Sequence, residues 1–164
     1  MIVSRRWLED LLGRKLDARD AAERLVMQAA PVDEVRPVPA GLERVIVAEV
    51  REVARHPNAD RLSVCQVATG REVLEVVCGA PNVTAGKKYP FAAVGVTLPG
   101  GITLERRTVR GVASNGMLCS ARELGLGPDK DGILELATEA PPGTPLLDVL
   151  PDVDHQIVID VTPN

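Results

Sequence analysis

The sequence predicts a mainly β protein with N-terminal helices, in which a five-stranded barrel is inserted into a small discontinuous α/β domain. Three observations predict it. Helical periodicity is confined to residues 5–29. Runs rich in Val and Ile, separated by turn residues, fill 43–112. A last apolar run, 156–161, lies far from any strand it could pair with locally. With 164 residues, 45% of them apolar and 26% charged, the chain has the make-up of an ordinary globular protein. Trp7, Tyr89 and Phe91 are its only aromatics, so the core must be built from Val, Leu, Ile and Ala.

Residues 5–12 place Trp7, Leu8, Leu11 and Leu12 on one helical face, with Ser4 as N-cap and Gly13 as the stop. Asp17 caps a second helix that is expected to bury Ala21, Leu25, Val26 and Ala29 and to end at Pro31. Val32–Val38 reads as extended, and Pro39-Ala40-Gly41 as a linker. The period then changes to that of strands. Residues 43–54 form a long strand, apolar on both faces early and on one face later, and 55–60 (Arg-His-Pro-Asn-Ala-Asp) form a turn. Residues 61–68 and 73–78 flank Thr69-Gly70-Arg71-Glu72 as a hairpin. Strands at 88–96 and 102–112 flank Leu98-Pro99-Gly100-Gly101. Five such strands suit a small closed barrel of the OB type, the chain being too short for a seven-stranded sandwich. Residues 113–136 read as glycine-punctuated and mostly irregular, and Pro141, Pro142, Gly143 and Pro145 as a second linker.

The strand at 156–161 needs a neighbour, and the candidates are Ile2-Val3 and Val32–Val38. The predicted domains are therefore 1–40 plus 150–164, a partial discontinuous α/β domain, and 41–149, the barrel. The abrupt stop at Thr162-Pro163-Asn164 leads us to expect a piece of a longer protein.

Several function classes fall away. No apolar run reaches the ~20 residues of a membrane span, and the first residues lack the layout of a secretory leader, so a cytoplasmic location without membrane contact is expected. Cys65, Cys78 and Cys119 form no C-x-x-C pair, and His56 and His155 have no metal-ligand spacing to them. Three reduced, buried cysteines and no metal are expected. No phosphate-binding loop of the glycine-then-lysine kind occurs, and Asp129 and Asp131 read as a solvated loop, so no catalytic residue is assigned. The net charge of −4 is uneven: 1–40 are neutral, 41–123 carry +3 and 124–164 carry −7. A middle segment more basic than its flanks is compatible with nucleic acid but is no basic stripe.

The run His56-Pro57-Asn58-Ala59-Asp60-Arg61-Leu62 with Val64-Cys65 and Gly70 resembles the tRNA-binding domain family of OB folds. So do Cys78-Gly79-Ala80-Pro81-Asn82, Arg110-Gly111-Val112 with Ser114, Gly116-Met117-Leu118-Cys119-Ser120 and Glu123-Leu124-Gly125-Leu126-Gly127, over roughly 44–136. The flanks, Ser4-x-x-Trp7-Leu8, Asp131-Gly132-Ile133-Leu134, Gly143-Thr144 and Val161-Thr162-Pro163-Asn164, are similar to the phenylalanyl-tRNA synthetase β subunit family over nearly the whole chain. Gln28-Ala29-Ala30-Pro31 departs from that family's Gly-Leu-Glu-like segment, so a local difference at the helix-to-strand corner is expected. The resemblance implies an accessory tRNA-binding and assembly region of a phenylalanine-tRNA ligase. Its partners would be tRNA, the synthetase α subunit and the rest of the β subunit. It implies no cofactor in this piece, with ATP and magnesium used by the parent ligase through its α subunit.

The cations placed to meet RNA phosphates are Lys87, Lys88, Arg106, Arg107 and Arg110, with Arg55 and Arg61 beside the first long turn. Ser114 and Asn115 can add hydrogen bonds. Only Tyr89 and Phe91 can stack on bases, and their alternation beside Ala92 and Val94 makes at least one a core residue. Affinity is then expected to be weak, salt-sensitive and poor in sequence information. His56 is expected to fix the corner between the first two strands rather than to touch RNA. Two other readings stand beside this one: a purely structural OB interaction module without RNA affinity, and a free-standing tRNA chaperone.

Overall fold

The structure is a computed structural model that describes residues 1–150 and 153–161. In chain order the elements are β1 (Ile2–Ser4), α1 (Arg5–Leu12), α2 (Ala18–Gln28), β2 (Val32–Val38), β3 (Ile46–His56), β4 (Ala59–Ala68), β5 (Val73–Cys78), β6 (Lys88–Ala93), β7 (Arg107–Val109), β8 (Val112–Ser114), β9 (Gly116–Leu118), a 3-10 turn at Leu146–Asp148, and β10 (Asp154–Ile159). They fall into two compact units: Met1–Ala40 with the described part of Pro151–Asn164, and Gly41–Leu150. The protein is thus mainly β, with two helices and antiparallel sheets. Among the described residues no helix is long and apolar enough to cross a membrane. Thr162-Pro163-Asn164 lies outside the described residues.

In the first unit β10 lies between β1 and β2, so the orphan strand has both candidate neighbours as partners. The helix caps are those the sequence predicts. Ser4 Oγ accepts from the N–H of Trp7 (3.2 Å), Asp17 Oδ1 accepts from Arg19 and Asp20, and Gly13 ends α1 at φ 64°. The apolar face of α1 differs from expectation. Trp7, Leu11 and Leu12 are more than half exposed, and only Leu8 joins the core of Ala22, Ile157 and Ile159. The reason is electrostatic anchoring of the first turn. Ser4 Oγ and the Arg6 N–H donate to the Asp154 carboxylate (2.7 and 3.0 Å), while Arg5 donates to Glu9 (2.6 Å) and to the Val153 carbonyl (3.0 Å). Arg5 and Glu9, rather than the apolar stripe, are buried. In α2 the buried residues are Ala18 and Ala22, with Ala21 and Leu25 packed beside them, whereas Val26 and Ala29 are exposed. That helix ends at Gln28, before Pro31.

The second unit is a five-stranded sheet in the order β5-β4-β3-β6-β9, with the hairpin β7–β8 beside it. The first half of β3 pairs with β6 (Ile46↔Phe91 to Glu49↔Lys88) and its second half with β4 (Glu49↔Ala68 to His56↔Ala59). A register shift between Val50 and Glu52 marks the change of neighbour, and burial changes with it: Val47, Ala48 and Val50 are buried, residues 51–55 exposed. The edge strands β5 and β9 meet through the segment before β9, where the Asn115 N–H donates to the Glu75 carbonyl (3.0 Å). One core gathers Val50, Val67, Val76, Tyr89, Phe91 and Leu118, and a second Leu42, Val45, Val96, Leu98, Leu124 and Leu146. The three cysteines are free and buried, and burial pushes the Cys65 and Cys119 thiols up to about 12.

The strands differ from expectation in three places. The breaker-rich turn shrinks to Pro57-Asn58, because β3 runs to His56 and β4 starts at Ala59. No strand covers 102–112; Arg110 (φ 47°) and Gly111 (φ 93°) fold 107–114 into a tight hairpin instead. The fifth place in the sheet is taken by β9, from the stretch expected to be mostly irregular.

Two predictions follow from this packing. Gly116, at φ 149°, has its missing Cβ aimed into the ring of Phe91 and 2.8 Å from the Ala92 carbonyl oxygen. Gly116→Ala should lose about 2–3 kcal/mol of stability in urea unfolding, by overpacking and backbone strain; a loss below about 0.5 kcal/mol would contradict this contact. In the first unit three carboxyls are held below their ordinary range. For Glu9 the main cause is the backbone N–H of Leu16, and for Asp17 the backbone N–H groups of Asp20 and Arg19. Burial opposes ionisation of Asp154, but the Ser4 hydroxyl and the N–H groups of Arg6 and His155 outweigh it. A depressed folded-state pKa stabilises above the unfolded value and is lost as pH falls through the folded one. The first unit should therefore weaken as pH drops below about 4. Fluorescence of Trp7, the single tryptophan, reads it out, and Asp154→Asn should flatten the profile.

Candidate nucleic-acid interface

Two turns of the second unit are clasped together by side chains. His56 is buried at the end of β3, and its Nδ1 accepts from the Asn58 N–H (3.1 Å). That acceptor role assigns the ring proton to Nε2, which donates to the Val109 carbonyl (2.9 Å). Asn58 Nδ2 donates to the Arg110 carbonyl (2.9 Å), and Arg110 Nη1 reaches the Asn58 carbonyl (3.4 Å). The β3–β4 turn and the β7–β8 turn are thus held against each other. His56 does the corner-fixing work expected of it, and it also reaches a second hairpin.

This clasp gathers some of the expected cations. Arg55 and Arg61 flank the β3–β4 turn and Arg110 sits at the β7–β8 turn, with Arg107 at the start of that hairpin. All four are exposed, and none has an ion-pair partner among the described residues. Arg110 is also the one described non-glycine residue at positive φ. A backbone conformation that costs about 1 kcal/mol in such a residue holds a guanidinium at the hairpin tip. Arg106, exposed, precedes β7.

Lys87 and Lys88 stand apart. Lys88 pairs with Glu49, six residues along β3 from Arg55, a backbone separation of at most roughly 20 Å. Lys87 Nζ donates to Glu135 (2.7 Å), which raises its pKa above the ordinary lysine value, and Lys88 Nζ donates to the Thr138 carbonyl (3.1 Å). Both lysines are thus tied to the 135–138 segment. Ser114 is buried, accepting from the Val77 N–H (3.1 Å) and donating to the Gly116 carbonyl (3.0 Å). Asn115 gives its backbone and side-chain N–H groups to the Glu75 carbonyl (3.0 and 3.2 Å). These two residues clip the β7–β8 hairpin to β5. Tyr89 and Phe91 are both in the core, Tyr89 with its hydroxyl bonded to Asn82 and Thr84, so neither can stack on a base.

Beside the hairpin runs a groove of about 920 Å³. Its floor includes the buried Leu98, Leu118 and Ile133, and Ile102 and Met117 form apolar walls. Arg107, Arg122 and Lys130 line it with Glu105, Glu123 and Asp131. Arg122 and Lys130 escaped the sequence reading because their segment looked irregular. What fixes that segment is Asn82, whose side chain donates to the Ile133 carbonyl (2.7 Å) and accepts from the Ile133 N–H (2.9 Å). Gly132 lies against that amide so closely that a Cβ would collide with it. Among the described residues no three His, Cys, Asp or Glu side chains are grouped as metal ligands would be.

A family model described as "Putative tRNA binding domain" matches residues 45–145. Over all 164 residues the chain is 45% identical to the phenylalanine--tRNA ligase beta subunits of Syntrophus aciditrophicus and Geobacter sulfurreducens. It spans about a fifth (20%) of the length of each. Among solved structures, a MetRS-related protein from Pyrococcus horikoshii is similar with a TM-score of 0.45 and 22% identity, over 61% of this chain and 85% of that one.

The clasp predicts an asymmetry between its two side chains. His56→Ala removes a buried donor and acceptor together and orphans the Val109 carbonyl, so it should cost about 2 kcal/mol in urea unfolding. Asn58→Ala acts at an exposed position and should cost under about 1 kcal/mol. Equal, small losses in both would mean that the clasp does not hold the turns.

Proposed function

Because this chain belongs to the tRNA-binding domain family, we propose that it is the accessory tRNA-binding and assembly region of a phenylalanine-tRNA ligase β subunit. In this reading Gly41–Leu150 is a five-stranded OB-type barrel, inserted into a discontinuous α/β domain that is completed elsewhere in the longer protein. The synthetase α subunit and the rest of the β subunit are its partners, in the cytoplasm. ATP and magnesium serve the ligase away from this piece, which carries out no chemistry itself.

The observation that carries the proposal is the set of exposed arginines without ion-pair partners, Arg55, Arg61, Arg107 and Arg110, at two turns locked together. Guanidinium groups fixed on a rigid support suit phosphate oxygens. With both barrel rings in the core, base stacking by aromatics is unavailable, so the contact is directed at phosphates, weak and salt-sensitive. Lys87 and Lys88 contribute less than their charge suggests, because Glu135 and Thr138 already engage them. The same buried rings favour the second reading, a structural interaction module without RNA affinity. A salt titration separates the two.

tRNA binding to this chain should be detectable at low salt, with log affinity falling by about 0.9 per phosphate neutralised in duplex regions for each log unit of salt. Joint replacement of Arg55, Arg61, Arg107 and Arg110 by Gln should weaken it about tenfold or more and flatten that slope. Replacing Lys87 and Lys88 should do less. Arg110→Gly is the sharper single test. It relieves the left-handed strain and keeps the carbonyl that Asn58 uses, so the fold should be as stable or up to about 1 kcal/mol more so, while tRNA binding weakens. No binding at low salt would leave the structural reading in place, and unchanged affinity in the arginine variant would put the RNA contact away from these turns.

A further inference from the structure

We infer that β2, the open edge of the three-stranded sheet in the first unit, pairs antiparallel with β2 of a second copy of this chain, with Val35 facing Val35 across a two-fold axis. The inference concerns the first unit and is independent of the RNA-binding reading, which concerns Gly41–Leu150.

The backbone decides what this edge can do. Among the described residues β2 pairs with β10 on one side and with no strand on the other. The Ile159 N–H donates to the Met1 carbonyl (2.7 Å), and the Asp160 N–H to the Pro31 carbonyl (2.9 Å). By the alternation of an antiparallel ladder, Ile159, Ile157 and His155 therefore turn their backbone groups away from β2. Their partners Val32, Val35 and Pro37 turn theirs outward. The register shift beside Ile159 absorbs the extra residue Asp33 and keeps Val32 in step with Val35. Pro37, with no N–H to give, occupies an outward position, as proline in an edge strand does. A bulge, a proline and charges ordinarily blunt an edge. Here the Val32 and Val35 N–H groups and the Pro37 carbonyl still face out. Two copies can exchange Val35 N–H to carbonyl bonds, while each Val32 N–H donates to the Pro37 carbonyl of the other copy.

Side-chain charge selects this register. With Val35 opposite Val35, Glu34 lies opposite Arg36 in both halves, as a close cross-strand pair of opposite sign. A slip of two residues, the smallest that keeps the outward groups paired, sets Glu34 against Glu34 or Arg36 against Arg36, which is destabilising. Within one copy the two side chains are 3.9 Å apart and partly exposed, and Arg36 Nε donates to Gln156 Oε1 (3.1 Å). An apolar surface accompanies the charges. A groove of about 570 Å³ between α2 and β2 is lined by Ala22, Val26, Met27, Val32 and Val35, with Arg19 and Glu23 of opposite sign beside them. Val26 and Met27 are 55% and 84% exposed, and the α2 helix of the second copy would cover them. Backbone, charge and apolar surface that complement themselves about one axis are what an isologous interface requires.

Sedimentation velocity of this chain, from micromolar to millimolar concentration, should show a monomer–dimer equilibrium. Arg36→Glu and Glu34→Arg each set like charges opposite one another, and each should raise the dissociation constant about tenfold or more. Mixed one to one, the two variants face each other with opposite charges only, and dimer should return as the mixed pair. A contact within one copy cannot produce that recovery. As a readout that needs no variant, hydrogen exchange at the Val32 and Val35 N–H groups should slow as concentration rises. A chain that stays monomeric at millimolar concentration overturns the inference. So does a dimer that both variants leave unchanged, that their mixture fails to restore, or that leaves those two amides as fast as before. None of these results bears on tRNA binding, which the salt titration tests separately.

Discussion

The imidazole of His56, held between two turns, is the constraint on which the proposed binding surface depends. His56 can accept from Asn58 and donate to Val109 at once only because its two ring nitrogens play opposite roles. The short β7–β8 hairpin has three residues in each strand and forms no part of the five-stranded sheet. It is anchored at its tip by this clasp and at its base by Ser114 and Asn115, which reach across to β5. Two anchors at opposite ends convert a hairpin that would otherwise fray into a rigid mount for Arg107 and Arg110. Arg107, Val109 and Ser114 of this hairpin line the groove.

Charge placement explains how an acidic chain keeps a set of unpaired arginines. The net charge is −4, yet part of the acidic side chains of the last third is spent internally. Glu135 sits on Lys87, and Asp154 caps and clamps α1 in the first unit. Glu123 closes a local turn on Ser120. The arginines of the clasped turns have no ion-pair partner among the described residues, so their charge stays unpaired although the total is negative. Exposed ion pairs of the Lys87–Glu135 kind contribute little to stability. Their larger consequence is to remove a cation from any phosphate-binding role.

Much of this was legible in the sequence, for reasons that are local. Ser4, Gly13 and Asp17 mark helix ends because capping is a short-range hydrogen-bond matter. The orphan strand near the C-terminus asked for β1 and β2 because an unpaired strand is costly, and both are its neighbours. The failures are where tertiary contacts override the local pattern. A polar clamp through Asp154, some 150 residues away, turned the expected face of α1 outward. The hairpin at 107–114 depends on an arginine in a left-handed conformation, which residue preferences argue against. Arg122 and Lys130 reach the groove because Asn82 fixes Ile133 from fifty-one positions away, and no periodicity announces such a contact.

The absence of exposed rings in the second unit sets the energetic scale of its proposed function. Aromatic stacking supplies about 1–3 kcal/mol per base in single-strand binders. Here Tyr89 and Phe91 are instead consumed by a core otherwise made of aliphatic side chains, and Gly116 exists to make room for Phe91. In the proposed role what is left is phosphate contact, which would yield modest affinity. Modest affinity is of little use to a free protein but sufficient for a region tethered beside other tRNA-binding surfaces, because tethering raises the effective concentration of the second contact to the millimolar range. A weak, rigidly mounted surface is therefore what an accessory region of a larger ligase requires: it adds to binding and orientation without slowing release.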